Sequence, residues 1–300
     1  MIDPRLRRHA LGFLELSSKP DKDSLARYYE EKYFQNESGN YRKSYSPEEF
    51  QVIEGRIELR ASRARQLISR TAPGRLLDVG CGEGFVLAAF AKERWDVRGI
   101  DYSRAGVENM HPHLLHCVDQ GDVFALLEEH IALGERYDIV WLGNVLEHVL
   151  DPLTLLRQLR SIVDPDGVLV AVVPNDGTYY HEELLADGFV PDRFWIAIPD
   201  HISYFTAESL HQTAAETGWV VRDLQGDFPI DFFLSHPGSN YVSDPAKGPE
   251  AHAARLRIER LIGRAGEKVA NEFYSALAAV GFGRNLVAFM TPDSEHHNDD

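Results

Sequence analysis

Three glycines at alternate positions, Gly80, Gly82 and Gly84, stand between an apolar run and a helical pattern. Glycine there lets the backbone turn tightly and approach a ligand with no side chain in between, so the loop reads as a cradle for a nucleotide-type ligand. Dinucleotide folds need a small residue at the position occupied here by Phe85, which argues against NAD. Asp78, two positions before the first glycine, would repel a pyrophosphate but would welcome an ammonium group. The expected ligand therefore carries a nucleoside, no phosphate and a cationic end.

S-adenosylmethionine meets those terms. On residues 76–85, Leu-Leu-Asp-Val-Gly-Cys-Gly-Glu-Gly-Phe, the sequence resembles the class I S-adenosylmethionine-dependent methyltransferases over roughly residues 74–225. The resemblance implies cofactor contacts at Asp78, Gly80, Cys81, Gly82, Gly84 and Phe85. It further implies Asp101, with Tyr102 beside it, at the ribose hydroxyls, and Asp122 with Val123 at the adenine. The run 137–149 resembles the family's fourth-strand motif, which places Gly143, Asn144 and Glu147 near the methionine part and the transferred methyl. Taken alone, Asp101 and Asp122 also fit helix-initiating acids, Cys81 fits a small residue packed under the loop, and Asn144 fits a turn.

Methyl transfer is an in-line displacement in which sulfur leaves as a neutral thioether. The enzyme aligns a nucleophile and, for oxygen or carbon, removes a proton. In open parallel sheets ligands bind beyond the carboxyl ends of the strands, which selects Glu147, His148, Tyr179, Tyr180, His181 and His201. His201, His148 and His181 are the candidate bases, because imidazole takes a proton near neutral pH. Residues 198–205 resemble a segment of small-molecule and sugar methyltransferases, and in sugar C-methyltransferases a histidine in a comparable segment acts as base. Holding the loop by hydrogen bonds is the other role open to His201. Those sugar enzymes carry a cysteine-rich zinc segment and a large second domain; this sequence has neither, which puts carbon methylation of a nucleotide sugar in doubt. O-methylation of a sugar, glycan precursor or natural product is the expectation, with N- or C-methylation and a non-catalytic binding protein as alternatives. Tyr179, Tyr180, Phe189, Phe194, Trp195, Tyr204 and Phe205 are expected to wall an apolar pocket.

Composition narrows the partners. With 47 acidic against 31 basic residues and a net charge of −16, the 300-residue chain repels phosphate backbones and anionic lipid. A small-molecule acceptor is expected, not nucleic acid or membrane. Cys81 and Cys117 offer neither a disulfide framework nor metal-ligand spacing, and His296 with His297 are too few, so no metal is expected. A cytoplasmic setting follows from the same cysteine usage and from the lack of a long apolar run.

The elements that must position these residues alternate from about residue 75 onward. Strands are expected at 75–80, 96–101, 114–118, 137–143, 168–174, 219–224 and 286–290. Helices lie between them, with Ser103, Asp122 and Thr206 as N-caps and residues 164–167 as a turn. The fold class is thus α/β: a Rossmann-like, seven-stranded, mostly parallel sheet with helices on both faces. Residues 1–70, rich in tyrosine (Tyr28, Tyr29, Tyr33, Tyr41, Tyr45), are expected as an N-terminal helical cap, 71–225 as the core and 226–283 as a helical lid. Residues 284–292 then form the last strand and 293–300 a frayed tail. Within the lid, Ile258, Ile262, Ala265, Val269, Phe273, Leu277 and Val280 form an apolar stripe, broken by Gly263 and Gly266.

Overall fold

The computed structural model describes residues 3–21, 24–25, 28, 44–68 and 72–295. Tyr29, Tyr33, Tyr41, His296 and His297 lie outside the described residues.

Seven strands build one sheet: β3 (Arg75–Val79), β4 (Asp96–Asp101), β5 (Val118–Gln120), β6 (Tyr137–Gly143), β7 (Val163–Pro174), β9 (Trp219–Gly226) and β10 (Asn285–Pro292). Their spatial order is β5-β4-β3-β6-β7-β10-β9. The first five run parallel, while β10 is antiparallel to both β7 and β9. Alternate side chains feed two cores. Leu77, Val79, Val140, Leu142, Leu169 and Ala171 face one way, and Leu76, Ile139, Trp141, Val168, Val170 and Phe289 the other. A strand buried on both faces must be apolar almost throughout, as these are, and helices must then cover both sides. Helices α4 (Val123–Ala132) and α5 (Pro152–Ile162) cover the first face through Leu127, Leu155 and Leu159. The second is covered by α1 (Pro47–Leu67) and α2 (Phe85–Lys92), through Ala61, Ala64, Leu87 and Phe90. The expected sheet and fold class are borne out.

Several boundaries differ for identifiable reasons. The strand expected at 114–118 is a 3-10 turn over Pro112–Cys117 followed by the short β5. Pro112 opens that turn, where its fixed φ and missing N–H suit a helical start. Residues 164–167 do turn, as a loop-out within β7: Tyr137 pairs with Val163, and Ile139 already with Val168. Residues 1–70 are not helical throughout. Strands β1 (Leu6–Arg8) and β2 (Leu14–Leu16) form a hairpin, and β2 pairs in turn with β8 (Ser203–Tyr204). Strands this short, on an edge ribbon, leave little room for a period-2 signal.

Between β9 and β10 lie α8 (Gly248–Arg264) and α9 (Glu267–Ala279), numbered after α3 (Ala105–Met110), α6 (Tyr179–Ala186) and α7 (Ala207–Glu216). The expected apolar stripe survives into α9 only at Leu277. Val269, Phe273 and Val280 are exposed, while Ala270, Tyr274, Leu277 and Ala278 face inward. Gly266, at φ 99°, breaks the helix and resets its phase, so a stripe counted through the break puts Val269 and Phe273 on the outer face. No described helix is long and apolar enough to cross a membrane.

Candidate functional site

The parallel strands β3, β4 and β6 end together, and the loops leaving them surround a cavity of about 420 Å³. The backbone N–H groups of Gly80 and Cys81 donate to the carbonyl of Ile100 at 2.7 and 3.2 Å, tying the glycine loop to the end of β4. Gly80 sits at φ 73°, and a Cβ there would stand 2.3 Å from Val145 Cγ2, so side-chain-free backbone is required. Asp101 holds the loop from the other side. Its Oδ2 accepts the Gly82 N–H at 2.8 Å and its Oδ1 accepts that of Ser103 at 2.9 Å. Tyr102 donates its hydroxyl to Asp122 Oδ2 at 3.1 Å, while Asp122 Oδ1 caps α4 at Ala125 N.

Of the residues expected at the cofactor, Gly80, Gly82, Asp101, Tyr102, Asp122, Val123, Gly143, Asn144 and Glu147 line this cavity. Asp78, Cys81, Gly84 and Phe85 are absent from its wall. Cys81 is buried, a Cβ on Gly99 would meet its Sγ at 2.9 Å, and burial pushes its thiol well above the usual range. It packs beneath the loop. Phe85 turns outward into an edge-to-face cluster with Tyr45, Phe50 and His111. Asp78 is buried behind the loop, its carboxyl pushed up to about 8 by burial, with the charge of Asp101 adding to the effect.

The elevated Asp78 has a consequence for pH. An unfolded aspartate ionises near 3.8, so between that value and about 8 the folded chain holds one proton more. Stability therefore falls as pH rises through that window. The ligand-free protein should melt about 5 °C lower at pH 8 than at pH 6. Asp78→Asn should flatten that slope; equal slopes in thermal melts of both proteins would contradict the assignment.

A glycine that spacing alone did not single out also shapes the loop. A Cβ on Gly106, in α3, would lie 2.4 Å from the Gly82 carbonyl oxygen and 2.8 Å from its carbon. Backbone cannot swing aside as a long side chain can, so Gly106→Ala must displace the loop, at about 1–3 kcal/mol. Cofactor affinity should drop about tenfold or more, whereas Gly55→Ala, where nothing lies within 4 Å, should leave it unchanged.

On the opposite wall, β6 ends at Gly143, and Asn144 turns the chain at φ 57°, a left-handed conformation that asparagine tolerates. The turn directs Glu147 and His148 inward. Glu147 is 1 % exposed, and neither of its carboxylate oxygens has a hydrogen-bond partner among the described residues. Burial raises its carboxyl well above the ordinary range, and the charges of Asp176 and Asp200 raise it further. Its carbonyl accepts the N–H groups of Ile202 and Ser203 at 2.7 and 3.1 Å, which anchors the segment carrying His201. His148 Nδ1 lies 2.7 Å from the Asp200 carbonyl oxygen, and the His148 and His201 rings are 5.0 Å apart. One ligand atom each from Glu147, His148 and His201 fall within 4.8 Å of one another. The sequence places all three among the candidates at this end of the sheet, but not their close approach, because 53 residues separate His148 from His201.

His181 is not brought to this site. It is buried elsewhere, stacked 4.9 Å from Trp195 with Nε2 3.0 Å from Asp231 Oδ2. The expected aromatic wall is corrected likewise. None of Tyr179, Tyr180, Phe189, Phe194, Trp195, Tyr204 and Phe205 lines the cavity. Tyr180, Phe189 and Phe194 pack around Leu184, Val190 and Leu234, and Phe205 joins the core beside Phe13. No described residue of 226–283 lines it either, so the expected lid lies off the site. Leu25, Leu150, Val149 and Phe124 supply the apolar surface instead.

Comparison with known proteins bears on this geometry. Residues 54–224 match the model of the methyltransferase domain family. The chain belongs to that family. The resemblance carried by residues 76–85 is borne out. A ubiquinone biosynthesis O-methyltransferase of Aeromonas salmonicida is 29 % identical over 158 residues, covering 51 % of this chain and 65 % of that protein. Another of that description, from Histophilus somni, is 36 % identical over 117 residues, 35 % of this chain and 48 % of its own. The match thus spans less than two thirds of either relative. Among solved structures, a SAM dependent methyltransferase from Archaeoglobus fulgidus has a TM-score of 0.52 at 18 % identity, covering 91 % of this chain and 100 % of that one. At that identity the likeness concerns the fold.

Proposed function

We propose that the chain transfers the methyl group of S-adenosylmethionine to an oxygen of a small molecule. The observation that carries the reading is one cavity lined on one side by Gly80, Gly82, Asp101 and Asp122 and on the other by Glu147, His148 and His201. When bound, the cofactor supplies an electrophilic methyl on a sulfonium. The chain's residues do the rest. Asp101 accepts the ribose hydroxyls, Tyr102 and Asp122 flank the adenine, and the loop backbone at Gly80 and Gly82 admits the methionine part closely. Three polar groups on the far wall meet the acceptor and its proton, and apolar Leu25, Val149 and Leu150 exclude water from the reacting atoms.

Oxygen as the methylated atom is supported by relatives named as O-methyltransferases. A neutral or cationic acceptor such as a sugar, glycan precursor or other natural product suits a chain of net charge −16 better than nucleic acid. Free cysteines at positions 81 and 117 suit a reducing, cytoplasmic setting. Calorimetric titration separates this reading from a nicotinamide enzyme. S-adenosylhomocysteine should bind with micromolar affinity and NADH should not; the reverse result would sink the proposal. With a hydroxylated acceptor panel, His148→Ala and His201→Ala should each lower S-adenosylhomocysteine formation about a hundredfold or more.

A further inference from the structure

Two buried polar atoms beside the cavity face each other. His201 Nδ1 and Asp176 Oδ2 are both shut off from solvent, neither has a hydrogen-bond partner among the described residues, and they lie 3.8 Å apart. That gap is longer than a hydrogen bond and too narrow for a bridging water, which needs about 4.5 Å between its two partners. Among the described residues, Asp176 is also the one carboxylate within 4.0 Å of a ring nitrogen of His201.

Both residues are held from behind. Asp176 follows β7; its N–H donates to the Phe205 carbonyl at 3.1 Å, and its Oδ1 accepts from Arg284 at 3.1 Å. The His201 N–H donates to the Ala197 carbonyl at 2.7 Å, and the His201 carbonyl accepts the Tyr204 hydroxyl at 3.1 Å. Burial pulls the Arg284 guanidinium down, but the charges of Asp176 and Asp231 and the bond to Asp176 outweigh it. Arg284 therefore stays a cation, which favours the carboxylate form of its partner.

We propose that Asp176 is the positioning residue for His201: its Oδ2 takes the ring's Nδ1–H, which leaves the Nε2 lone pair to remove the acceptor's proton. This rests on the methyl-transfer reading and deepens it. Closing the gap to about 2.8 Å takes a small side-chain rotation, and catalytic hydrogen bonds that are long in ligand-free enzymes tighten when substrate arrives. Charge selects the tautomer. A neutral ring protonated on Nε2 turns a lone pair toward the carboxylate, whereas the Nδ1–H tautomer and the imidazolium both donate to it. Nδ1 is the buried nitrogen and His201 lines the cavity, so Nε2 is the one left to the acceptor.

In the step itself the acceptor oxygen forms its bond to the methyl carbon while the carbon–sulfur bond breaks with its electron pair on sulfur. The hydroxyl proton passes to His201 Nε2. Asp176 stabilises the imidazolium until the proton leaves to water at the cavity mouth.

Asp176→Asn is the decisive variant. Arg284 keeps its bond to the amide oxygen, so the amide NH2 faces His201 Nδ1 and drives the ring proton to Nε2, where a base needs a lone pair. With a hydroxylated acceptor that the wild type methylates, kcat should fall about a hundredfold or more, while acceptor KM and S-adenosylhomocysteine affinity stay within about threefold. Asp176→Glu keeps the carboxylate and should recover about tenfold of that loss. Nitrogen NMR of the full-length chain labelled at histidine, at about pH 8.5 where free imidazole is neutral, reads the tautomer directly, with His201→Gln assigning the signal. Nδ1–H is expected in the wild type and Nε2–H in Asp176→Asn. An Nε2–H ring in the wild type, or turnover within threefold of wild type in Asp176→Asn, overturns the proposal. Thermal melts report whether the variant is folded, and if it is not, the wild-type spectrum decides alone. An Nδ1–H ring in a wild type that binds no S-adenosylhomocysteine would leave the pair standing and count against the methyl-transfer reading alone.

Discussion

Asp101→Ala is expected to weaken S-adenosylhomocysteine binding at least a hundredfold. Two losses combine. In the proposed reading the carboxylate accepts the ribose hydroxyls, and hydrogen bonds to an ionised group contribute about 1.5–3 kcal/mol each. It is also the clamp on the glycine loop, through Gly82 N–H at 2.8 Å and Ser103 N–H at 2.9 Å. Burial pushes the Asp101 carboxyl up, against the pull of those backbone N–H groups. Its charge is therefore held at some cost and is well placed to respond to a ligand. Asp101→Asn keeps one acceptor oxygen and should recover part of the affinity, whereas a purely steric role predicts full recovery. A calorimetric affinity within threefold of wild type for Asp101→Ala would remove the cofactor assignment.

His181→Ala should separate stability from catalysis. Burial pushes the Asp231 carboxyl up, but the His181 hydrogen bond, the Arg284 charge and the Tyr241 hydroxyl at 2.8 Å together hold it below the ordinary range. Removing His181 leaves a buried carboxylate short of a partner, and breaking a buried pair costs about 3–5 kcal/mol. A melting temperature about 10 °C lower follows for a chain of this size. Turnover at saturating substrate, measured well below the melt, should stay within threefold of wild type, because His181 lies outside the cavity. A hundredfold fall in turnover with an unchanged melt would restore His181 as a base candidate.

The core was legible because its physics is local. Strands β4 and β6 were read to the residue, since apolar runs bounded by turn residues leave few alternatives. Asp122 and Thr206 cap helices as expected because an N-cap needs only its own side chain and the next turn. Gly80 and Gly82 were legible from spacing, but Gly106 was not, because its constraint is a contact across 24 residues with the Gly82 carbonyl. Aromatic composition misled for a related reason. Phe194, Trp195 and Phe205 are as apolar in a core as in a pocket, and only tertiary packing distinguishes the two. The convergence of Glu147 with His201 depends on backbone bonds from Ile202 and Ser203 to the Glu147 carbonyl, a pairing that leaves no periodic trace.

The ribbon at residues 6–16 gives the chain an unusual mechanical layout. Leu14 and Glu15 pair with Tyr204 and Ser203, Leu16 N–H donates to the Ile202 carbonyl, and Lys19 reaches from Glu15 to the Leu150 carbonyl. The glycine-loop half of the cavity is built on sheet strands, but the wall bearing His201 is stitched to residues some 190 positions earlier. On the proposed reading, changes near residue 15 shift acceptor preference without disturbing the glycine loop. For the same reason an affinity tag fused ahead of residue 6 is attached to the His201 side of the cavity, and its removal belongs in any search for the natural substrate.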